Sequence, residues 1–311
     1  MSNSNNMTSE PREKGNIFEF RTTELSALKA SIDILKELID TVFICYNSSG
    51  ISIKTYDVFR SIYIDMIFDA DKLDHYYYRK KYDDDGVEVD QFICVSLQYI
   101  NTVLKSIKTT DSVIIWSFKE RADNIIIEIH SSVKEESREY KIINICNEDF
   151  VLENPPSTIS DYNYFLMLPC TDLSDIFKDL KQLDSEVIVI KYIDNNLIFD
   201  TKTKGPISVS IVRKGKMITE GDLDKILDSD TKDVKDLLIL KEPSDDSSSC
   251  FYDEYKFAKL YDLSKCSKIS DKSKKKNFVE IHIMPEMPIV FTYSIGKLGS
   301  IQFYVTANNE T

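Results

Sequence analysis

The sequence predicts an α+β fold built from four copies of one repeat, in which a strand leads into a helix and about three strands follow. Four segments place apolar residues at helical spacing, and alternating apolar residues follow each of them. A stretch rich in Pro and Ser, Asn154–Asp161, separates the first two copies from the last two. The 311 residues suffice for two domains, each with a core of its own.

The first repeat is predicted from a helix over Glu24–Asp40 and three strands. One apolar stripe runs along the helix, formed by Leu28, Ile32, Leu35 and Ile39. The strands are expected at Val42–Tyr46, Ile51–Tyr56 and Ser61–Phe68, and a turn cluster, Asn-Ser-Ser-Gly, separates the first two. The stretch Asp69–Asp90 then breaks the alternation with a tyrosine cluster, a basic run and three aspartates. We expect an exposed loop there.

The other three repeats follow the same order. The second is predicted from a helix near Ser96–Lys108 and strands at Val113–Lys119, Asn124–Ser131 and about Tyr140–Ile145. The third is predicted from a strand at Tyr164–Leu168, a helix at Thr171–Leu183 and strands at Val187–Tyr192, Leu197–Thr201 and Ile207–Arg213. The fourth is predicted from a helix at Phe257–Ile269 and strands at Phe278–Met284, Ile289–Ser294 and Ser300–Thr306.

The repeats predict two domains of like topology. We expect a disordered tail over residues 1–15, a first domain over 16–141, a connector over 142–163 and a second domain over 164–311. Hydrophilic residues between about 214 and 249 predict surface insertions in the second domain.

Composition excludes several classes of protein. Hydrophobic residues make up 42% of the chain and charged residues 29%, which is typical of a globular protein with a packed core. No apolar run approaches the roughly 18 residues that cross a bilayer, and the polar N-terminus lacks a signal-peptide core. We therefore expect an intracellular protein with no membrane partner. The six cysteines lack disulfide or zinc spacing, so buried free thiols are expected.

No catalytic, cofactor or metal site is predicted. The histidines are too few and too dispersed for a metal site or a catalytic triad, and they are His75, His130 and His282. The Gly–Lys pairs at 215–216 and 296–297 lack the other residues of a phosphate-binding loop, and Asp83–Asp85 lacks the spacing of a calcium loop. We expect a protein without enzymatic activity.

The net charge of −13 argues against a nucleic-acid partner unless lysines are gathered locally. Each predicted helix carries two lysines spaced three or seven residues apart, which places them on one helix face, and these are Lys29, Lys36, Lys105, Lys108, Lys178, Lys181, Lys265 and Lys268. The alternative is a solvated face with local ion pairs. On the first helix, Asp33 and Asp40 follow the two lysines by four residues, as that alternative predicts.

Five segments, in this order and spacing between Leu28 and Val305, resemble the proliferating cell nuclear antigen (PCNA) family of eukaryotic and archaeal DNA sliding clamps. They are LKASIDILKELI, NSSGISIKTYD, CVSLQYINTVLKSI, ERADNIIIEI and EMPIVFTYSIGKLGSIQFYV. The resemblance implies the DNA clamp (processivity) fold and a head-to-tail homotrimer that encircles duplex DNA without reading its sequence. The lysines listed above would then lie along the helices that line the central channel and contact phosphates.

The same resemblance implies two further surfaces. A front-face pocket would receive short motifs of a polymerase, clamp loader, ligase or nuclease, and its residues would be Tyr56, Arg60, Ser61, Val151, Leu152, Pro155, Pro288, Tyr304 and Thr306. Subunits would join by pairing Asn124–His130 with Ser208–Val212, through Ile125, Ile127, Ile129, Ser208, Ser210 and Val212. Ordinary sheet interior explains the isoleucines equally well.

The resemblance implies action at sites of DNA replication, in the nucleus or, for a viral protein, in a cytoplasmic viral factory. The alternative function is that of a clamp-like protein that forms no ring and serves as a polymerase accessory or viral transcription factor. Oligomeric state discriminates between the two.

Overall fold

The computed structural model describes residues 15–108, 111–118, 124–131, 133–143, 153–203, 207–219, 237–241, 250–269 and 277–308. The chain divides into two compact units. The first comprises Met1–Thr55, Asp65–Glu153 and Lys297–Ser300, and the second comprises Tyr56–Ile64, Asn154–Gly296 and Ile301–Thr311.

Elements of the first half of the chain lie close to the predicted ranges. They are β1 (Asn16–Thr22), α1 (Leu25–Leu38), β2 (Thr41–Asn47), β3 (Gly50–Tyr56), β4 (Ile62–Asp69), β5 (His75–Tyr78), β6 (Gln91–Ser96), α2 (Leu97–Lys105), β7 (Asp111–Phe118), β8 (Asn124–Ser131) and β9 (Glu136–Ile143).

The second half of the chain repeats this order, and its last helix continues into a 3₁₀ turn at Ser264–Lys268. The elements are β10 (Tyr164–Pro169), α3 (Cys170–Gln182), β11 (Ser185–Ile193), β12 (Asn196–Thr203), β13 (Ser210–Met217), β14 (Leu237–Lys241), β15 (Cys250–Lys256), α4 (Phe257–Leu263), β16 (Phe278–Ile283), β17 (Ile289–Ile295) and β18 (Gly299–Val305).

The predicted repeat is confirmed. Within the described residues, the order of a strand, a helix and three strands begins at β1 and recurs at β6, β10 and β15, while β5 and β14 are additions to it. The apolar stripe of α1 is buried as periodicity predicts, since Leu28, Ile32 and Leu35 are no more than 5% exposed. The α+β fold class is therefore confirmed.

The first compact unit contains an antiparallel sheet in the order β5-β1-β7-β8-β9, on which α1 and α2 pack. Inward-facing side chains of this sheet and of both helices enclose an apolar core, where Phe18, Ile127, Leu28 and Ile100 line one cavity of about 40 Å³. Burial of these apolar faces stabilises the unit, because each side chain removed from water contributes roughly 1.5–3 kcal/mol. The strand β2 pairs on its two sides with β3 and β6.

In the second compact unit, neighbouring strands follow the order β15-β11-β12-β13-β14-β10-β16-β17. The pair β13–β14 is parallel, and the others are antiparallel. The helix α3 packs against α4 and the 3₁₀ turn. Its Phe177 meets Phe199 of β12 edge-on, with ring centroids 6.2 Å apart, inside the core.

The prediction of an exposed loop over Asp69–Asp90 is wrong for its first part. Ala70–Lys72 forms a 3₁₀ turn, and β5 pairs with β1. Tyr76 and Tyr78 are buried, whereas His75 and Tyr77 alternate with them on the other face. The sequence hid this alternation because tyrosine, with an apolar ring and a polar hydroxyl, occurs on both faces of the strand.

The predicted surface insertions at about 214–249 are wrong at two places. The strand β13 continues through Met217, and β14 is core, since Leu237, Leu238 and Ile239 are at most 1% exposed. Residues 220–236 and 242–249 lie outside the described residues. The predicted burial of the cysteines is confirmed for Cys45, Cys94, Cys170 and Cys266, whereas Cys250 is exposed and Cys146 lies outside the described residues.

Candidate functional site

One lysine of the candidate DNA-binding set, Lys29, donates a hydrogen bond to the main chain near another helix. Lys29 on α1 donates a hydrogen bond from Nζ to the main-chain carbonyl of Ile107, just beyond the end of α2. Burial lowers the pKa of the Lys29 ammonium, and the charge of Asp111 opposes this shift. A cation at the C-terminal end of a helix complements the helix dipole, so Lys29 helps to hold α2 in place.

Three other lysines form ion pairs with an aspartate of the same helical segment, and for Lys265 this segment comprises α4 and the 3₁₀ turn that follows it. In each pair an aspartate stands three residues before the lysine, and the Nζ–Oδ1 distances are 2.9 Å for Lys36–Asp33, 2.9 Å for Lys178–Asp175 and 3.2 Å for Lys265–Asp262. The local pairs that the sequence left as an alternative therefore exist, but Lys36 pairs with the preceding Asp33 rather than with Asp40. In α2 the corresponding position is Thr102, whose hydroxyl donates to the carbonyl of Gln98.

The remaining four lysines are exposed, and they are Lys105, Lys108, Lys181 and Lys268. None of them forms an ion pair with any side chain in the described part of the chain. The Nζ of Lys181 lies 5.1 Å from the ring centroid of Tyr261, a cation–π contact that leaves its charge available.

Most residues of the expected front-face pocket gather around a tyrosine cluster, which we define as Tyr56, Tyr63, Tyr162 and Tyr304. The ring centroid of Tyr63 lies 5.0 Å from that of Tyr56 and 5.6 Å from that of Tyr304, and both ring pairs meet edge-on. The hydroxyl of Tyr162 donates to the carbonyl of Pro288, 2.8 Å away. Thr306 donates from its main-chain nitrogen and its hydroxyl to the carbonyl of Ser61, at 3.2 and 3.1 Å.

A buried aspartate organises the turn beside the tyrosine cluster. Asp57 is 7% exposed and accepts hydrogen bonds from the main-chain nitrogens of Phe59, Ser61 and Ile62 and from the Ser61 hydroxyl, at 3.4, 2.5, 2.7 and 3.0 Å. These bonds hold Arg60 in a left-handed conformation, with φ of 51°. The Arg60 guanidinium carbon thereby lies 4.7 Å from the ring centroid of Tyr56.

We expect Asp57→Ala to lower the free energy of unfolding by about 2–4 kcal/mol, because buried donors would lose their acceptor. Asp57→Asn is the matched control, since its side-chain oxygen can still accept from Ser61 and Ile62. Urea denaturation measures both variants. A loss of less than about 0.5 kcal/mol in the alanine variant would show that the turn does not depend on Asp57.

The structure brings together six of the nine expected pocket residues: Tyr56, Arg60, Ser61, Pro288, Tyr304 and Thr306. Pro155 is half-buried near Ser157, whose hydroxyl contacts Tyr162, while Val151 and Leu152 lie outside the described residues. The sequence analysis missed Tyr63, Tyr162, Val290, Met284 and Met287, which pack in the same cluster. Tyr63, Tyr162 and Val290 lie on separate segments of the chain, so no local pattern in the sequence indicated that they would meet.

The expected subunit-pairing strand Asn124–His130 requires correction. This segment belongs to β8, which pairs with β7 on one side and β9 on the other, so it is not an edge. Ile125, Ile127 and Ile129 are at most 2% exposed, and the first two line the apolar cavity beneath α1 and α2. The apolar run that suggested an interface is therefore sheet interior.

The outer strand of that sheet is β9, which has β8 on one side and no described strand on the other. Ile143 on β9 is 69% exposed. In the second compact unit, Ser210–Lys214 of β13 pairs with β12, and the described part of β14 pairs only with Gly215–Met217. Ser208 and Ser210 are exposed there, as is Val212 at 46%.

Two of the three histidines lie in the first compact unit, each beside a glutamate. His75 lies 3.2 Å from the buried Glu19, and His130 lies 3.0 Å from Glu128. Both line a polar depression of about 700 Å³ in the first compact unit, which the sequence did not predict. Within the described ranges, no three His, Cys, Asp or Glu side chains are placed to hold a metal ion. None of the described helices is both long and apolar enough to cross a membrane.

Two comparisons with known proteins agree with this geometry. Residues 17–150 match the family model "Proliferating cell nuclear antigen, N-terminal domain". Over 298 residues the chain is 20% identical to the "Probable DNA polymerase sliding clamp 1" of Paramecium bursaria Chlorella virus 1, and the match covers 93% of this chain and 96% of the viral protein. The chain is therefore similar to the sliding clamps of the proliferating cell nuclear antigen family, and its residues 17–150 match the N-terminal domain of that family.

Proposed function

We propose that this protein is a DNA sliding clamp: a homotrimeric ring that encircles duplex DNA and keeps a DNA polymerase on its template. One observation carries the proposal, namely a lysine late in each of the four helical segments: Lys36 in α1, Lys105 in α2, Lys178 in α3 and Lys265 in the 3₁₀ turn that continues α4. Each directly follows a buried residue, Leu35, Leu104, Phe177 or Ser264, so each lysine borders the buried face of its segment.

A repeated lysine favours sequence-independent DNA contact. Ammonium groups attract phosphates without reading bases, which allows a protein to move along the duplex. Four helical segments that each carry a cation beside their buried face can follow a charged backbone, and we propose that they line the channel of the ring. The overall charge of −13 then belongs mainly to other surfaces, as electrostatic focusing permits.

We propose that the ring closes by head-to-tail pairing of β9 in one copy with the Ser210–Lys214 stretch of β13 in the next. Both are sheet edges within the described residues, and both carry exposed apolar side chains, Ile143 and Val212. Such edges usually require covering, because unpaired strands and apolar patches favour association. A heterologous contact of this kind closes into a ring when the rotation per subunit is suitable.

We also propose that the tyrosine cluster and the Asp57 turn receive short peptide motifs from client proteins, among them polymerase, clamp loader, ligase and nuclease. Val58 and Phe59 at the tip of the turn are 70% and 86% exposed, which places a large apolar surface next to the cluster. A preformed turn favours binding, because less conformational entropy is lost than in a mobile loop. The protein would act where DNA is replicated.

Mass and topology test this function together. Light scattering should give a molecular mass about three times that of one chain, which is 35.9 kDa. Once loaded, the protein should remain on closed circular DNA at high salt and leave linear DNA through its free ends. A stable mass of a single chain, with no difference between circular and linear DNA, would refute the ring and favour a polymerase accessory or transcription factor that forms none.

A further inference from the structure

The charge on the helices is nearly balanced. The helices α1, α2, α3 and α4, together with the turn Ser264–Lys268, carry an excess of only two positive charges per chain. Three of the carboxylates that reduce this excess form ion pairs with the lysines three residues after them, and they are Asp33, Asp175 and Asp262. Their recurrence at one position of three repeats is independent of the lysines that carry the proposed function.

We propose that Asp33, Asp175 and Asp262 hold three lysines in local ion pairs and thereby lower the affinity of the protein for duplex DNA. The three lysines are Lys36, Lys178 and Lys265. The proposal rests on the proposed clamp function and deepens it. A phosphate must compete with the aspartate for the same ammonium group, so each pair subtracts one strong contact from the DNA-facing helices. Weak contacts between the lysines and the phosphates allow the protein to slide along the duplex, whereas strong contacts would hold it at one place.

The Lys178–Asp175 pair is the most accessible to a competing phosphate, whereas the lysine side chains of the other two pairs, Lys36 and Lys265, are 24% and 37% exposed. The side chains of Lys178 and Asp175 are 57% and 67% exposed, and the Asp33 side chain is 54% exposed. Partial burial raises the pKa of Asp33, but the hydrogen bond and charge of Lys36, with Asn101 and Lys105, outweigh it and hold that pKa below its ordinary value. The carboxylate is therefore ionised at neutral pH.

The fold does not require an acid at this position. In α2 the equivalent residue is the neutral Thr102, and Lys105 three residues later forms no ion pair with the described side chains. Exposed ion pairs contribute little to stability. The competing explanation is that the aspartates only support their own helices through pairs three residues apart. That explanation predicts no change in DNA affinity when they are neutralised.

The experiment uses the full chain with Asp33→Asn, Asp175→Asn and Asp262→Asn combined, which raises the positive excess of the helices from two charges to five. The control variant combines Asp71→Asn, Asp84→Asn and Asp85→Asn, which changes the net charge equally at exposed positions outside the four helices. Fluorescence anisotropy measures binding to a short duplex over a range of salt concentrations.

We expect the helix variant to bind about tenfold more tightly at low salt, and the slope of log K against log salt to steepen by about 0.9 for each lysine that newly contacts a phosphate. The control should match the wild type. A wild type too weak to measure, beside a helix variant that binds, also supports the proposal. A gain of binding cannot result from misfolding.

Three outcomes would count against this proposal. If the helix variant equals the wild type while Lys105→Glu weakens binding, the aspartates do not restrain DNA contact and the clamp function stands. An equal gain in the control variant would overturn the proposal in favour of net charge alone. If no variant binds the short duplex at any salt concentration, the proposal fails, whereas the clamp function is decided by retention on closed circular DNA.

Discussion

Ile143→Asp is expected to convert the proposed trimer into single chains. Ile143 lies on β9, the outer strand of its sheet, and is 69% exposed in the single chain. In the proposed ring the side chain would be covered by β13 of the next copy, and burying a carboxylate in place of an apolar side chain costs free energy. The cost is on the order of 2–4 kcal/mol at each interface, which suffices to open a ring of moderate affinity.

The reciprocal change, Val212→Asp on β13, should have the same effect, because Val212 is 46% exposed and lies on the other proposed partner strand. Val87→Asp is the matched control, since Val87 is 60% exposed and lies in a loop outside both strands. Mass is measured by light scattering over a range of protein concentrations. Trimers of unchanged stability in both interface variants would exclude pairing of β9 with β13.

The charge reversals Lys105→Glu and Lys108→Glu together are expected to abolish stable loading on DNA. These two lysines are exposed and free of ion pairs with the described side chains, so their charges are available to phosphates. A trimer would lose six such cations and gain six anions. If all six contact phosphates, the salt slope falls by about five, and retention on circular DNA fails at physiological salt.

Lys80→Glu with Lys81→Glu provides the control for charge, because both residues are exposed, and they lie in the loop that follows β5. The control should retain loading and polymerase stimulation, and both variants should remain trimeric by light scattering. Undiminished polymerase stimulation by the Lys105→Glu, Lys108→Glu variant would place the DNA contact elsewhere on the protein.

The sequence by itself determined the repeat. Leu28, Ile32 and Leu35 recur at helical spacing, and alternating strands follow, so local periodicity alone specified α1 and its counterparts. The lysines on these helices were equally visible, because residues three or seven apart share a helix face wherever the helix packs. Strand β5 was missed because tyrosine occurs on both of its faces, and β14 because five residues between hydrophilic segments give too short a pattern.

Only the tertiary structure decided which strands are edges and which lysines are free. The isoleucines of β8 have the same pattern whether they face a core or a partner, and the pairing of β8 with both β7 and β9 settles that choice. Similarly, the spacing allowed Lys36 to pair with either Asp33 or Asp40. The direction of the side chains in the folded helix determines that Lys36 pairs with Asp33. Strand pairing and ion pairing depend on residues distant in sequence or on side-chain direction, which periodicity does not encode.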